Sequence, residues 1–187
     1  MLSVRKLTAE TVGDVRLMAD AVLIGDETVL QIGRYGFVLS YRQLPSAEWR
    51  SFPPPPDYPA DVLCDIPDGA VYGAYMDDRV VGVASVLCSG SGWAELCDIR
   101  VDAAWRRQGV ATALIAAAEG FATRQGMHGL RVTASEANPV LCQFLEHNGF
   151  VLQGLDRRAL IHTPQERVKP LMRRACALYF YRETEKG

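Results

Sequence analysis

Residues 105–115 read WRRQGVATALI: Trp105, Arg106, Arg107, Gln108, Gly109, Val110, Ala111, Thr112, Ala113, Leu114, Ile115. Two arginines and a glutamine run into a glycine, and small and β-branched residues follow. Val110, Leu114, Ile115, Ala118, Phe121 and Ala122 fall on one face at helical spacing, which predicts a helix from Gly109 to about Arg124. A helix start carries backbone N–H groups without intrahelical partners and the positive end of the helix dipole. A glycine there lets a ligand approach the main chain. The N–H groups of Gly109, Val110, Ala111 and Thr112 could then converge on a diphosphate, with an arginine adding charge-assisted bonds. Taken alone, the turn equally fits a glycine-capped helix beside a solvated arginine edge.

Working outward, AVYGAYM (70–76), RVVGVASVLC (79–88) and WAELCDIRV (93–101) read as three strands of a meander, with a turn at Asp77-Asp78. Beyond the helix, LRVTA (130–134) is a short strand. Asn138-Pro139 starts a second helix, with Asn at the N-cap and Pro at the first helical position. Val140, Leu141, Phe144 and Leu145 line its apolar face, and Asn148-Gly149 ends it. FVLQG (150–154) and ACALYFYRE (175–183) close as strands. Near the beginning, residues 28–44 form a hairpin around a glycine turn. The segment PSAEWRSFPPPPDYPADVLCDIPDG follows, and its four consecutive prolines, Pro53 to Pro56, exclude a helix or central strand. It reads as an extended surface connection, or as a loop walling a substrate site. The order predicts an α+β fold (α/β with a mixed sheet), helices flanking the central sheet. Strands 93–101 and 130–134 should be parallel neighbours joined by a right-handed crossover.

The 187 residues suit a single domain, 1–187, and 49% apolar content is ordinary for a globular chain. A net charge of −2 leaves no basic footprint for nucleic acid and no polybasic patch for a membrane. Cys64, Cys88, Cys97, Cys142 and Cys176 are odd in number and widely spaced, which predicts free thiols in a reducing, cytoplasmic setting. His128, His147 and His162 lack zinc-ligand spacing, so no metal is expected. The N-terminal MLSVRKLTAE has no apolar signal core.

Neither a G-x-x-x-x-G-K-[ST] loop nor a G-x-G-x-x-G fingerprint is present, so neither a nucleoside triphosphate nor a dinucleotide is supported. LCDIRVDAAWRRQGVATALIAAAEGFA followed by LRVTASEANPVLCQFLEHNGFVLQG resembles the coenzyme-binding core of the GNAT superfamily of N-acetyltransferases, over about residues 70–155. The features are Arg/Gln-x-x-Gly-x-Gly/Ala on the turn, an asparagine after the next strand, and a helix ending in x-G-F. The resemblance implies that turn 106–112 holds the pyrophosphate of acetyl-CoA. It implies that the backbone of Ile99, Arg100 and Val101 pairs with the pantetheine arm like an added strand, and that Asn138 bonds the same arm. Outside the core, GRYGFVLSYRQLP, GLDRRAL and ACALYFY resemble streptothricin acetyltransferases, which acetylate an amine of an aminoglycoside-like antibiotic. The implied partner is a small-molecule amine, and a homodimer is left open.

Acetyl transfer needs a deprotonated amine, a polarised thioester carbonyl, close positioning and a leaving thiolate. Glu95 and Asp98 are the candidate catalytic carboxylates; the two-residue strand period sends them to opposite faces, so only one would line the substrate side. Relatives often carry Glu-Asp where this chain has Cys97-Asp98. They usually carry a tyrosine proton donor where it has Leu145. Cys142, His147, Tyr179 and Tyr181 are candidates to compensate, although a thiol of ordinary pKa can leave unassisted. Two readings follow: an active N-acetyltransferase on a small amine, or an acetyl-CoA-binding module with weak or lost catalysis that regulates or senses.

Overall fold

The computed structural model describes residues 1–13, 15, 21–52, 58–157 and 176–184. Among these residues nine strands and four α-helices run β1 (Leu2–Lys6), α1 (Ala9–Val12), β2 (Val22–Gly33), β3 (Gly36–Arg50), α2 (Ala60–Asp65), β4 (Gly69–Met76), β5 (Arg79–Cys88), β6 (Ala94–Val101), α3 (Val110–Arg124), β7 (Gly129–Ser135), α4 (Pro139–His147), β8 (Val151–Asp156) and β9 (Ala177–Glu183). Seven strands form a mixed sheet in the order β1-β4-β5-β6-β7-β9-β8, and β2 and β3 form a separate two-stranded sheet. The run Pro53–Pro56 and His162 lie outside the described residues, and GLDRRAL is described only as far as Arg157.

Among the described residues the chain divides into two compact units. The first holds 1–13, 15, 58–132 and 181–184; the second holds 21–52, 133–157 and 176–180. In the first, the expected meander forms: β4 pairs with β5 and β5 with β6, all antiparallel. Asp77 and Asp78 both take positive φ, which turns the hairpin with the strands' own twist. Helix α3 buries Val110, Leu114, Ile115, Ala118, Phe121 and Ala122, the six residues its periodicity selects. It packs on β4, β5 and β6. Gly82 permits the approach, because a Cβ there would lie 3.0 Å from Val110 Cγ1 and 3.1 Å from Leu114 Cδ1. The opposite face is covered by a cluster of Leu7, Leu63, Val71 and Val83, joined by Val12, Ile66 and Leu87. That cluster rests on β1, α1 and α2, which the sequence did not reveal; four- and six-residue helices are too short to display a period.

In the second unit, helix α4 packs on β2 of the hairpin. Tyr41 Oη donates to Glu146 Oε2 at 2.6 Å, Gln143 Nε2 to Asp26 Oδ2 at 3.2 Å, and Arg50 Nη1 to the Ala137 carbonyl at 3.2 Å. The hairpin is longer than expected. Pairing runs from Gly33↔Gly36 to Asp26↔Gln43, breaks around Pro45, and resumes from Ile24↔Glu48 to Val22↔Arg50. The proline, having no N–H, interrupts the strand without ending it. The apolar face of α4 also differs: Pro139, Cys142 and Leu145 are buried, whereas Val140 is exposed. The three-residue spacing sets the buried stripe, and Gln143 and Glu146 turn to the hairpin.

Candidate active site

Strand β6 carries the site in the first unit. From Ala94↔Cys88 to Leu96↔Val86 it holds one register with β5; from Asp98↔Ser85 to Val101↔Gly82 it holds another, one residue longer. Cys97 is the extra residue, a β-bulge. On its other side β6 runs parallel to β7 and pairs at two rungs, Ala94↔Leu130 and Glu95↔Arg131. Among the described residues, that edge of β6 has no strand partner from Leu96 onward.

The bulge overturns the expectation that Glu95 and Asp98 face opposite ways. Glu95 stands opposite Leu87 and Asp98 opposite Ser85. Leu87 and Ser85 are two residues apart on β5, so both carboxylates share one face, the face away from α3. The Arg100 side chain joins them, and its Nε donates to Asp98 Oδ2 at 2.8 Å. Glu95 is ion-paired with Arg131 across the last rung. The Tyr181 hydroxyl also interacts electrostatically with Arg131, and the Tyr181 and Trp93 rings meet edge to face, centroids 4.9 Å apart. Burial pushes the Asp98 pKa up, with the Arg100 charge pulling it back. Burial also lifts the Cys97 thiol to about 12, helped by the carboxylates of Glu95 and Asp98.

Past Val101, the buried Asp102 accepts from Ala104 N at 3.2 Å and meets Arg79 Nη2 at 3.4 Å, fixing the 3-10 turn Ala103–Trp105. Arg106 Nε donates to the Val101 carbonyl at 3.0 Å, and Gln108 Nε2 to that of Ala104 at 3.2 Å. Arg107 and Gly109 are both left-handed, with φ of +63° and +78°. Holding a non-glycine residue there costs about 1–3 kcal/mol, and such strain collects at ligand-binding turns. Among the described residues, no side-chain hydrogen bond caps the start of α3, and nothing lies within 4 Å of where a Gly109 Cβ would stand. Helix α4, in the second unit, is closed differently: Asn138 Oδ1 accepts from Leu141 N at 3.1 Å.

The model of the Acetyltransferase (GNAT) family matches residues 39–150, well over half of the chain. The chain belongs to the GNAT acetyltransferase family. Streptothricin acetyltransferase of Escherichia coli is 29% identical over 125 residues, 67% of this chain and 68% of that protein. A candidate streptothricin acetyltransferase of Bacillus anthracis str. Ames, solved with acetyl coenzyme A, superposes with a TM-score of 0.82. Its identity is 20%, over 99% of this chain and 98% of that one. A nourseothricin acetyltransferase gives 0.78 at 22% identity, over 97% and 98%. These structural likenesses establish the GNAT fold.

Within this GNAT acetyltransferase, Glu95, Asp98, Ile99, Arg100, Val101 and Arg106–Thr112 lie in the first unit, along β6 and the turn into α3. Asn138 lies in the second unit, with its side-chain oxygen on the α4 cap. Leu145 is fully buried. Cys142 is buried too, and burial raises its thiol to about 12. His147 Nδ1 sits 2.7 Å from the Gln143 carbonyl, and Tyr179 packs on Gly154. The sequence reading did not single out Arg131 or Asp102. Asp102 had a signal, an aspartate directly before a short turn. Arg131 had none, since its importance comes from the register between two distant strands.

Proposed function

We propose that the chain moves the acetyl group of acetyl-CoA to a primary amine of a small cationic molecule of the streptothricin class, by direct attack in a ternary complex. One observation carries this reading: among the described residues the edge of β6 has no strand partner from Leu96, and it leads into a glycine-capped helix start without a side-chain cap hydrogen bond. A pantetheine arm fits that edge as an added strand along Ile99–Val101. A pyrophosphate fits the N–H groups of Gly109–Thr112, with Arg106 held beside them by Val101. Asn138, in the second unit, has its side-chain oxygen on Leu141 N, its N–H on the Ser135 carbonyl and its carbonyl on Cys142 N. The relative solved with acetyl coenzyme A supports the cosubstrate.

The acceptor ammonium would be drawn to Asp98, on the face shared with Glu95. It gives up a proton to Asp98 or to water, and its nitrogen lone pair attacks the thioester carbonyl carbon. Backbone N–H groups at the bulge can polarise that carbonyl. The C–S bond breaks, the thiolate leaves with the electron pair, and the second proton, lost by the acylated nitrogen, passes through water to the thiolate to complete coenzyme A. At pH 8, a Cys97 thiol with a pKa of about 12 is ionised in roughly one molecule in ten thousand, which favours direct transfer over an acetyl-cysteine. We read the two units as one GNAT domain, because the likeness in structure covers 99% of the chain. The five cysteines are free thiols, which supports the cytoplasm as its setting.

The second reading, a coenzyme-binding sensor, is favoured by Leu145 and by two carboxylates that both carry arginine partners. A screen of amines with acetyl-CoA, streptothricin included, separates the two. Released thiol together with a monoacetylated amine supports the enzyme; tight coenzyme binding with no amine-dependent thiol release supports the sensor.

A further inference from the structure

The Glu95–Arg131 pair occupies a singular place in the sheet. It is the last rung at which β6 and β7 are paired, and the bulge at Cys97 follows two residues later. Both partners are largely buried: the Glu95 side chain is 9% exposed and that of Arg131 30%. Arg131 also interacts electrostatically with the Tyr181 hydroxyl on β9, and the Tyr181 ring meets that of Trp93, two residues before Glu95, at 79°. The row Glu95–Arg131–Tyr181 therefore ties three adjacent strands at the point where β6 loses its neighbour.

We propose that Arg131 is a positioning residue: with Glu95 and Tyr181 it staples β6 to β7 and sets where the coenzyme-binding edge of β6 begins. This deepens the acetyl-CoA reading above and rests on it. It also divides the work of the two carboxylates. Glu95 is held in the staple, while Asp98, past the bulge, is paired with Arg100 of its own strand and faces the acceptor side. A parallel pair has no hairpin turn to fix its end, so side-chain pairs must define it. Without the ion pair the two strands can separate a rung earlier or zip a rung further, and either change misplaces the edge that the pantetheine arm must meet. A misplacement near 1 Å is enough to weaken a positioned contact strongly.

The test compares wild type with Glu95→Gln, Arg131→Met, Arg131→Lys and Tyr181→Phe. Steady-state kinetics are measured in both substrates, and amide exchange is followed over Leu96–Val101. The staple predicts that Glu95→Gln and Arg131→Met raise the KM for acetyl-CoA at least about tenfold, while kcat falls no more than about threefold. The pH profile of kcat should keep its shape, and amides of Leu96–Val101 should exchange faster. Arg131→Lys keeps the charge and should recover most of the KM. Tyr181→Phe removes only a hydroxyl, keeps the fold should Arg131→Met lose it, and should raise the KM about threefold. The proposal is overturned if Glu95→Gln and Tyr181→Phe leave the KM and the exchange unchanged. It is also overturned if Glu95→Gln lowers kcat and moves its pH profile, since Glu95 would then act directly in the proton transfer. A wild type that neither binds nor turns over acetyl-CoA would remove the coenzyme reading and this one together; an active wild type with indifferent variants removes the staple alone.

Discussion

Asp98 meets two opposed influences, and their balance decides how it can serve an amine. Burial raises its pKa above the ordinary value near 3.9, and the neighbouring Arg100 charge restrains the rise. The folded protein thus holds this proton to higher pH than an exposed aspartate would. The carboxylate is the form that attracts an ammonium and accepts its proton, so kcat should climb as pH rises through the raised pKa. The effect on stability has the opposite sign. A folded state that binds the proton more tightly than the unfolded chain loses that advantage as pH rises from the unfolded pKa through the folded one. Asp98→Asn should lower kcat at least about tenfold, erase the acid limb of the pH–rate profile and leave acetyl-CoA affinity in place. A silent Asp98→Asn would assign deprotonation to another group. The sequence identified Glu95 and Asp98 as candidates, yet it could not give their orientation. One inserted residue at Cys97 reverses the alternation on which that reading depended, and a bulge leaves no compositional mark. Arg131 went unnoticed for a different reason: its partner is fixed by a register between strands separated by a helix.

The elements that were legible are those whose own periodicity is long enough to read. Helix α3 shows four turns of apolar spacing, and its buried residues are the ones expected. Helix α4 shows its start and stop through Asn138-Pro139 and Asn148-Gly149, while its apolar stripe is shifted because the hairpin claims Gln143 and Glu146. Strand β1 and the two short helices gave no such signal, and the far end of the hairpin was obscured by Pro45. Two substitutions test the packing of these elements. Gly82→Ala places a methyl against Val110, Leu114 and the Arg100 carbonyl, and should cost about 1–3 kcal/mol by forcing α3 from β5. Leu145→Ala empties a fully buried site on α4, and should cost about 2–5 kcal/mol while affecting the chemistry less than the fold. Denaturant titration reads both. A cost below 0.5 kcal/mol, on the order of an exposed site, would contradict the packing described.

At the scale of the molecule, the family and the fold were readable because one turn, one asparagine and one x-G-F helix end occur in the right order among the right elements. The acceptor was less readable, since it depends on side chains brought together by register. In the proposed function, the open edge of β6 and the glycine-capped start of α3 together hold acetyl-CoA. Gly109 is the place to test it. Its left-handed backbone disfavours any side chain, and the open space beside it is where a coenzyme phosphate would come closest. Gly109→Val should lower the melting temperature of the free protein modestly through backbone strain. The decisive quantity is the further change on adding coenzyme. Acetyl-CoA at a hundred times its dissociation constant should stabilise the wild type by about 2.7 kcal/mol, and should leave Gly109→Val where it was. A wild type whose unfolding is unmoved by millimolar acetyl-CoA, or a Gly109→Val variant stabilised as much as the wild type, would contradict the account.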